Sequence, residues 1–311
     1  MKLVDGVLHS YSGLIPEYNK NIAQFRTLAT SLGEEFSLLD YRYFVIQMLY
    51  LVEYADYNSQ NKLGNGLVNG QSAKALIAET GVNRIIVSST NLYVGRIVGI
   101  GTDWASNSVA KDRKITKVEN YSDGNVSGKV IYFDGDPVNI AVNNTIWGSG
   151  QESGQCDELG MKSGCLINDS IHSMIYRGIE NIFGNMWQFV DGMNIKDRIM
   201  YLCKDHTKYK SDLFESPYKK LGYTNGDTNG YVKTLGFDPD EPLARFPIEV
   251  GAGASSGMSD YYWQNPGNRI ALVGGNFGNG ANCGFWSWTL NYDSSIASVS
   301  RGCRVLIDNQ K

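Results

Sequence analysis

The chain has 311 residues, is 42% hydrophobic and 19% charged, and carries a formal net charge of −4. No basic stripe is available to neutralise phosphates, which excludes nucleic acid as a partner, and the length allows one substantial core or two domains. The 12% aromatic content and 35 glycines favour short strands and turns over long charged helices. The start, MKLVDGVLHSYSG, lacks an apolar h-region and reads as carrying no signal peptide.

In chain order, the first predicted element is a helix from about Leu39 to Leu63. Phe44, Met48, Leu51, Val52 and Ala55 recur at helical spacing, and the GNG of 64–66 closes it. Its apolar run YFVIQMLYLVEYA is broken by Gln47 and Glu53 and is too short to cross a bilayer, so it reads as a buried helix without membrane insertion. A second short helix is expected in QSAKALIAETG (71–81). From Arg84 to about Trp147, β-branched runs such as RIIVSS, RKITKVENY and GKVIYFDG alternate with the turn signals SDGN and DGDP. This reads as an inserted all-β module at 84–148, between two parts of one domain at 1–83 and 149–311. Tyr176 to Asp191 is expected as another amphipathic helix, with Ile179, Ile182, Phe183, Trp187 and Val190 on one side. Short strands follow: RFPIEV, RIALVGG, GFWSWTLN and GCRVLI. Helices set apart from a mostly antiparallel sheet make an α+β class.

Chemistry-bearing patterns are sparse. Five cysteines, 156, 165, 203, 283 and 303, suggest reduced thiols or small core residues, with a Cys156–Cys165 loop disulfide as the alternative. Cys203 and His206 match no zinc spacing, and neither WQNPG (263–267) nor DPDEP (238–242) gathers enough oxygens for calcium. VGAGASSG (250–257) has the wrong glycine spacing for a dinucleotide, and His9, His172 and His206 enter no catalytic arrangement. No metal or cofactor is expected.

The segment GGNFGNGANCGFWSWTLNYDSS (274–295) combines dense aromatics with dense Asn, Gly and Ser. Strand alternation puts Trp286, Trp288 and Leu290 on a core face, and Phe285, Ser287, Thr289 and Asn291 on the other. With the neighbouring loops, this predicts an exposed patch of Asn276, Phe277, Asn279, Asn282, Phe285, Ser287, Thr289, Asn291, Tyr292 and Asp293. Adaptable hydrogen-bonding groups among rigid rings are the vocabulary of antibody paratopes. A hydrophilic edge strand with its turns is the plain alternative.

GNMWQFVDG (184–192), the stretch from RIALVGG through GFWSWTLN, and RGCRVLI (301–307) resemble the C-type-lectin-fold branch related to formylglycine-generating enzymes. More narrowly, with the segments IQMLYLVEYADYNSQNKLGNG and EVGAGASSGMSDYYWQN, they are similar to variable proteins of diversity-generating retroelements and bacteriophage tail relatives. The resemblance implies a C-type-lectin fold of two helices and a mostly antiparallel sheet. It also implies a non-enzymatic host-receptor binder at a phage tail tip, or on a bacterial surface, in a homo-oligomer such as a trimer. In such proteins adenine mutagenesis rewrites asparagine codons. Here that carries over to Asn276, Asn279, Asn282, Ser287, Thr289, Asn291 and Tyr292, then to Asp293, Ser298 and Ser300. Gly274, Gly275, Trp286, Trp288, Leu290, Gly302 and Arg304 would be scaffold. A formylglycine-generating type of enzyme, using Cys283 or Cys303, and a structural virion protein are the alternatives.

Overall fold

The computed structural model describes residues 1–253, 257–258 and 260–308, so part of VGAGASSG and of EVGAGASSGMSDYYWQN lies outside the described residues. The chain divides into two units, one made of Met1–Val68 with the chain from Ser153 onward, the other of Asn69–Glu152. With 35% strand and 12% helix, the protein is mainly β, which overturns the α+β, two-helix C-type-lectin expectation. Its α-helices are short: α1 (Ile22–Thr30), α2 (Phe44–Tyr54) and α3 (Ser59–Leu63).

Two predicted helices fail for physical reasons. Between 176 and 191, Arg177, Gly178, Asn181, Gly184 and Asn185 all have positive φ, from 50° to 79°. A right-handed helix cannot pass through so many left-handed residues. The segment instead forms the short strands Ile175–Tyr176 and Ile179–Glu180 and then the long strand Trp187–Lys196. QSAKALIAETG likewise becomes strands Ser72–Lys74 and Glu79–Val82, each taken up by a distant partner strand. The Leu39–Leu63 helix is real only in part. Ala55 turns left-handed at φ 51° and ends α2, and Asn58 then caps α3 through its side chain.

The first unit is built on a nine-stranded curled sheet. Its order is Lys219–Thr224, Ile199–Leu202, Trp187–Lys196, Asn268–Val273, Trp288–Leu290, Tyr261–Gln264, Gly230–Leu235 and Pro247–Val250, with Arg301–Gly302 pairing beside Trp187. The central strands are covered on both faces. Ile22, Phe25 and Ala29 of α1 pack with Trp187, Phe189, Ile270 and Leu272. Alternate residues Val190, Ala271, Val273, Trp288 and Leu290 face Tyr43, Tyr50 and Phe246 on the opposite side. Such strands lose the in/out alternation that marks a half-exposed sheet. Asn21 and Gln24 form a reciprocal capping box that starts α1 over the first face.

The second unit is a six-stranded antiparallel sheet in the order Ser72–Lys74, Thr145–Gly148, Ile97–Gly101, Ala110–Ser122, Ser127–Phe133 and Arg84–Val87. It curls until its first and last strands meet at a bridge between Ala75 and Val87. Closure removes the exposed edges and encloses Ile85, Val98, Ile100, Ile115, Ile131 and Ile146.

Candidate functional site

Gly274 and Gly275 leave the Asn268–Val273 strand at φ 91° and 75°, and a Cβ on Gly275 would lie 2.3 Å from the Cys283 sulfur. Only glycine allows the chain to turn here so tightly over the core. The turn that follows is pinned throughout. Asn276 Oδ1 accepts from Gly278 N at 2.9 Å, and Asn279 Oδ1 accepts from Asn276 N at 3.0 Å. Gly280 N donates to the Val68 carbonyl at 2.8 Å, and Gln60 Nε2 donates to the carbonyls of Gly280 and Cys283 at 3.2 and 2.8 Å. Gly278 and Ala281 are exposed, and Asn279 and Asn282 are half-exposed.

The predicted ten-residue patch is therefore not one surface. Phe277, Phe285, Ser287, Thr289 and Asn276 are buried. Phe285 fails as a surface residue because 285–287 is not extended; its ring packs with Trp286 among Tyr50, Tyr176 and Phe183. Ser287 and Thr289 fail because the Trp288 strand is central, between Asn268–Val273 and Tyr261–Gln264. Asn276 and Asn279 spend their side-chain oxygens on the turn itself. Asn291, Tyr292 and Asp293 follow the far end of the Trp288 strand, opposite the end carrying Asn276, Asn279 and Asn282. There the Tyr292 ring lies 4.0 Å from the Arg301 guanidinium. The Asp293 carboxylate accepts from Ser295 Oγ and N, which holds it below its usual range. Of the further carry-over positions, Ser300 is buried and Ser298 half-buried. Trp286, Trp288 and Leu290 are buried scaffold.

Beneath the turn lies an acid that sequence reasoning missed. Asp260 is buried, and its Oδ2 accepts from Trp286 N at 2.8 Å. Its Oδ1 has no hydrogen-bond partner among the described residues. Burial raises its carboxyl well above the usual range, opposed only by the Trp286 amide. Gly284 is the one visible signal, since a Cβ there would lie 2.3 Å from both Asp260 oxygens.

All five cysteines are free, so the loop disulfide does not form. Burial pushes every thiol up: Cys156 to about 12, Cys303 to about 11, Cys283 well above its ordinary value, and Cys165 and Cys203 in the same direction. Cys303 lines a cavity of about 480 Å³ with Arg304, Gln188 and Glu180. The Arg304 guanidinium there is already committed, donating to Gln188 Oε1 and to the carbonyls of Glu180 and Asn181. A thiol this hard to ionise is a poor nucleophile.

The three histidines sit apart: His9 stacks on Tyr11, His172 meets Asp169, and His206 meets the Glu34 carbonyl. Among the described residues no group of three His, Cys, Asp or Glu side chains could hold a metal ion, and no helix is long and apolar enough to cross a membrane. No protein-family model matches the chain, and no protein of curated function matches its sequence.

Proposed function

We propose that this chain is a recognition protein that binds a host cell-surface receptor, with a bacteriophage tail tip as its place. The observation that carries the reading is the turn at 276–283. A short loop of small residues and amides is held by hydrogen bonds on a buried aromatic layer, and its outermost residues alone reach solvent. A loop ordered before binding loses less entropy on contact, so small polar groups suffice. The motif resemblance at 184–192, 269–291 and 301–307 supports the same reading. The contact surface we assign is narrower than the sequence patch: Gly278, Asn279, Ala281 and Asn282. Asn291, Tyr292 and Asp293 at the other end of the strand would belong to a separate contact.

Binding of the fluorescently labelled chain to a panel of bacterial strains tests this. Ala281→Arg and Asn282→Asp should abolish binding to the recognised strain while leaving the melting temperature unchanged. Binding that survives both substitutions, or no binding to any strain, overturns the reading. Sequencing of the flanking DNA tests the retroelement part separately. A near-copy of the 269–306 segment, differing at adenines and beside a reverse transcriptase gene, is the expected result, and its absence removes diversification.

A further inference from the structure

Helix α2 is turned inside out. Val45, Met48, Leu49 and Val52 fall at the i, i+3, i+4, i+7 spacing that normally marks a core-facing stripe. Here they are 41%, 37%, 43% and 80% exposed. The buried face instead carries Gln47 and Tyr50. The helix cannot rotate to hide its stripe, because that buried face is committed. Gln47 Nε2 donates to the Phe285 carbonyl at 2.6 Å, and Tyr50 donates to the Asn58 carbonyl at 2.8 Å while packing edge-on against Phe285 and Trp286.

The apolar surface continues beyond the helix. Arg245 lies 5.3 Å from the Phe44 ring and 4.3 Å from the Phe237 ring, and its Nε donates to the Pro242 carbonyl. Phe237 and Leu243 are themselves exposed. Together these side chains present on the order of 500 Å² of apolar area, near the upper end for the largest patch of a monomer.

We propose that this stripe is a self-association surface, on which a second copy of the chain lays the same helix antiparallel across a two-fold axis. The charge pattern favours a copy of the chain over an unlike partner. No charged residue lies on the stripe between Val45 and Val52. At its ends, Arg42 is paired with Asp40 and Asp308, and Glu53 accepts from the Tyr176 hydroxyl. Two identical helix stripes therefore meet without like charges opposed, as an isologous contact requires, and the Arg245 cation beside them is committed to the Pro242 carbonyl and to the Phe44 and Phe237 rings. Pairing removes roughly 1,000 Å² in total from water, the lower limit for a specific interface. In that arrangement Met48 and Leu49 flank the axis and Val45 of each copy faces Val52 of the other. The proposal does not depend on what the 276–283 turn recognises.

Sedimentation of the 311-residue chain across the micromolar range tests it, with Val52→Glu and Val94→Glu as variants. Val94 is exposed in the second unit and serves as the control. The expected result is a reversible dimer that Val94→Glu leaves intact. Val52→Glu should weaken it by ~100-fold with an unchanged melting temperature, because it buries a carboxylate in an apolar contact. Leu49→Cys should give an oxidised covalent dimer near the axis. A chain that stays monomeric throughout overturns the proposal, as does a dimer that Val52→Glu does not weaken or that Leu49→Cys does not cross-link.

Discussion

The side-chain nitrogen of Gln47 donates to the main-chain oxygen of Phe285 over 2.6 Å, with both residues buried. This one amide, placed where a core helix would ordinarily carry a leucine, does two things. It satisfies a carbonyl of the non-strand segment 285–287, and it fixes the rotation of α2 that leaves Val52 in water.

Gln47→Leu should destabilise the protein by about 1–3 kcal/mol, because the Phe285 carbonyl is left buried without its donor. The lower part of that range is favoured, since Gln47 Oε1 is itself without a partner and the substitution removes it too. Urea unfolding measures the loss. Stability equal to the parent would mean that the bond contributes nothing.

Arg26 meets Asp191 in a bidentate pair at 2.7 and 2.8 Å, tying α1 to the Trp187 strand, and Asp191 also accepts from Gly192 N. Asp191 is buried, so Arg26→Met strands a carboxylate and should cost about 3–5 kcal/mol. Adding Asp191→Leu should recover a large share of that loss. A double variant no more stable than the single one would show that the pair is not the source.

Asp260 sets a pH dependence. Burial raises its folded-state pKa well above the ordinary value, so the folded protein holds this proton more tightly than the unfolded chain. The contribution is fully present below about pH 4 and is lost as pH rises, by up to about 1.4 kcal/mol per pH unit until the folded pKa is passed. Asp260→Asn keeps an oxygen for the Trp286 amide and cannot ionise. The stability difference in its favour should widen from pH 4 towards pH 7, read from melting temperatures in a buffer series. A constant difference would refute the assignment.

With every thiol raised by burial, alkylation by iodoacetamide at neutral pH should be slow for all five cysteines in the folded protein and fast for all five after unfolding. Rapid labelling of Cys283 or Cys303 in the folded state would restore the alternative of a formylglycine-generating type of enzyme.

The sequence was most legible where local pattern and long-range pairing agree. The β-branched runs between Arg84 and Ile140 are strands, because alternation and turn residues act within a few positions of each other. The Trp286, Trp288, Leu290 set is core. The 176–191 helix was misread because a run of apolar residues has no unique period. What decided it was a set of left-handed residues, together with pairing to strands about 81 to 114 residues away in sequence.

By itself, then, the sequence determined that aromatic and β-branched residues would form the core and that glycines would break it into many short elements. Those follow from composition and spacing, which are local. Only the tertiary structure decided which faces stay wet. Ser287 and Thr289 are buried because strands from elsewhere in the chain flank the Trp288 strand and both sheet faces are covered, and Phe285 is buried because its turn sets the ring among Tyr50, Tyr176 and Phe183. Val45, Met48, Leu49 and Val52 are exposed because a buried glutamine and tyrosine claim the other side of their helix. Burial depends on neighbours that are distant in sequence, and periodicity reports only that a face exists, never what covers it.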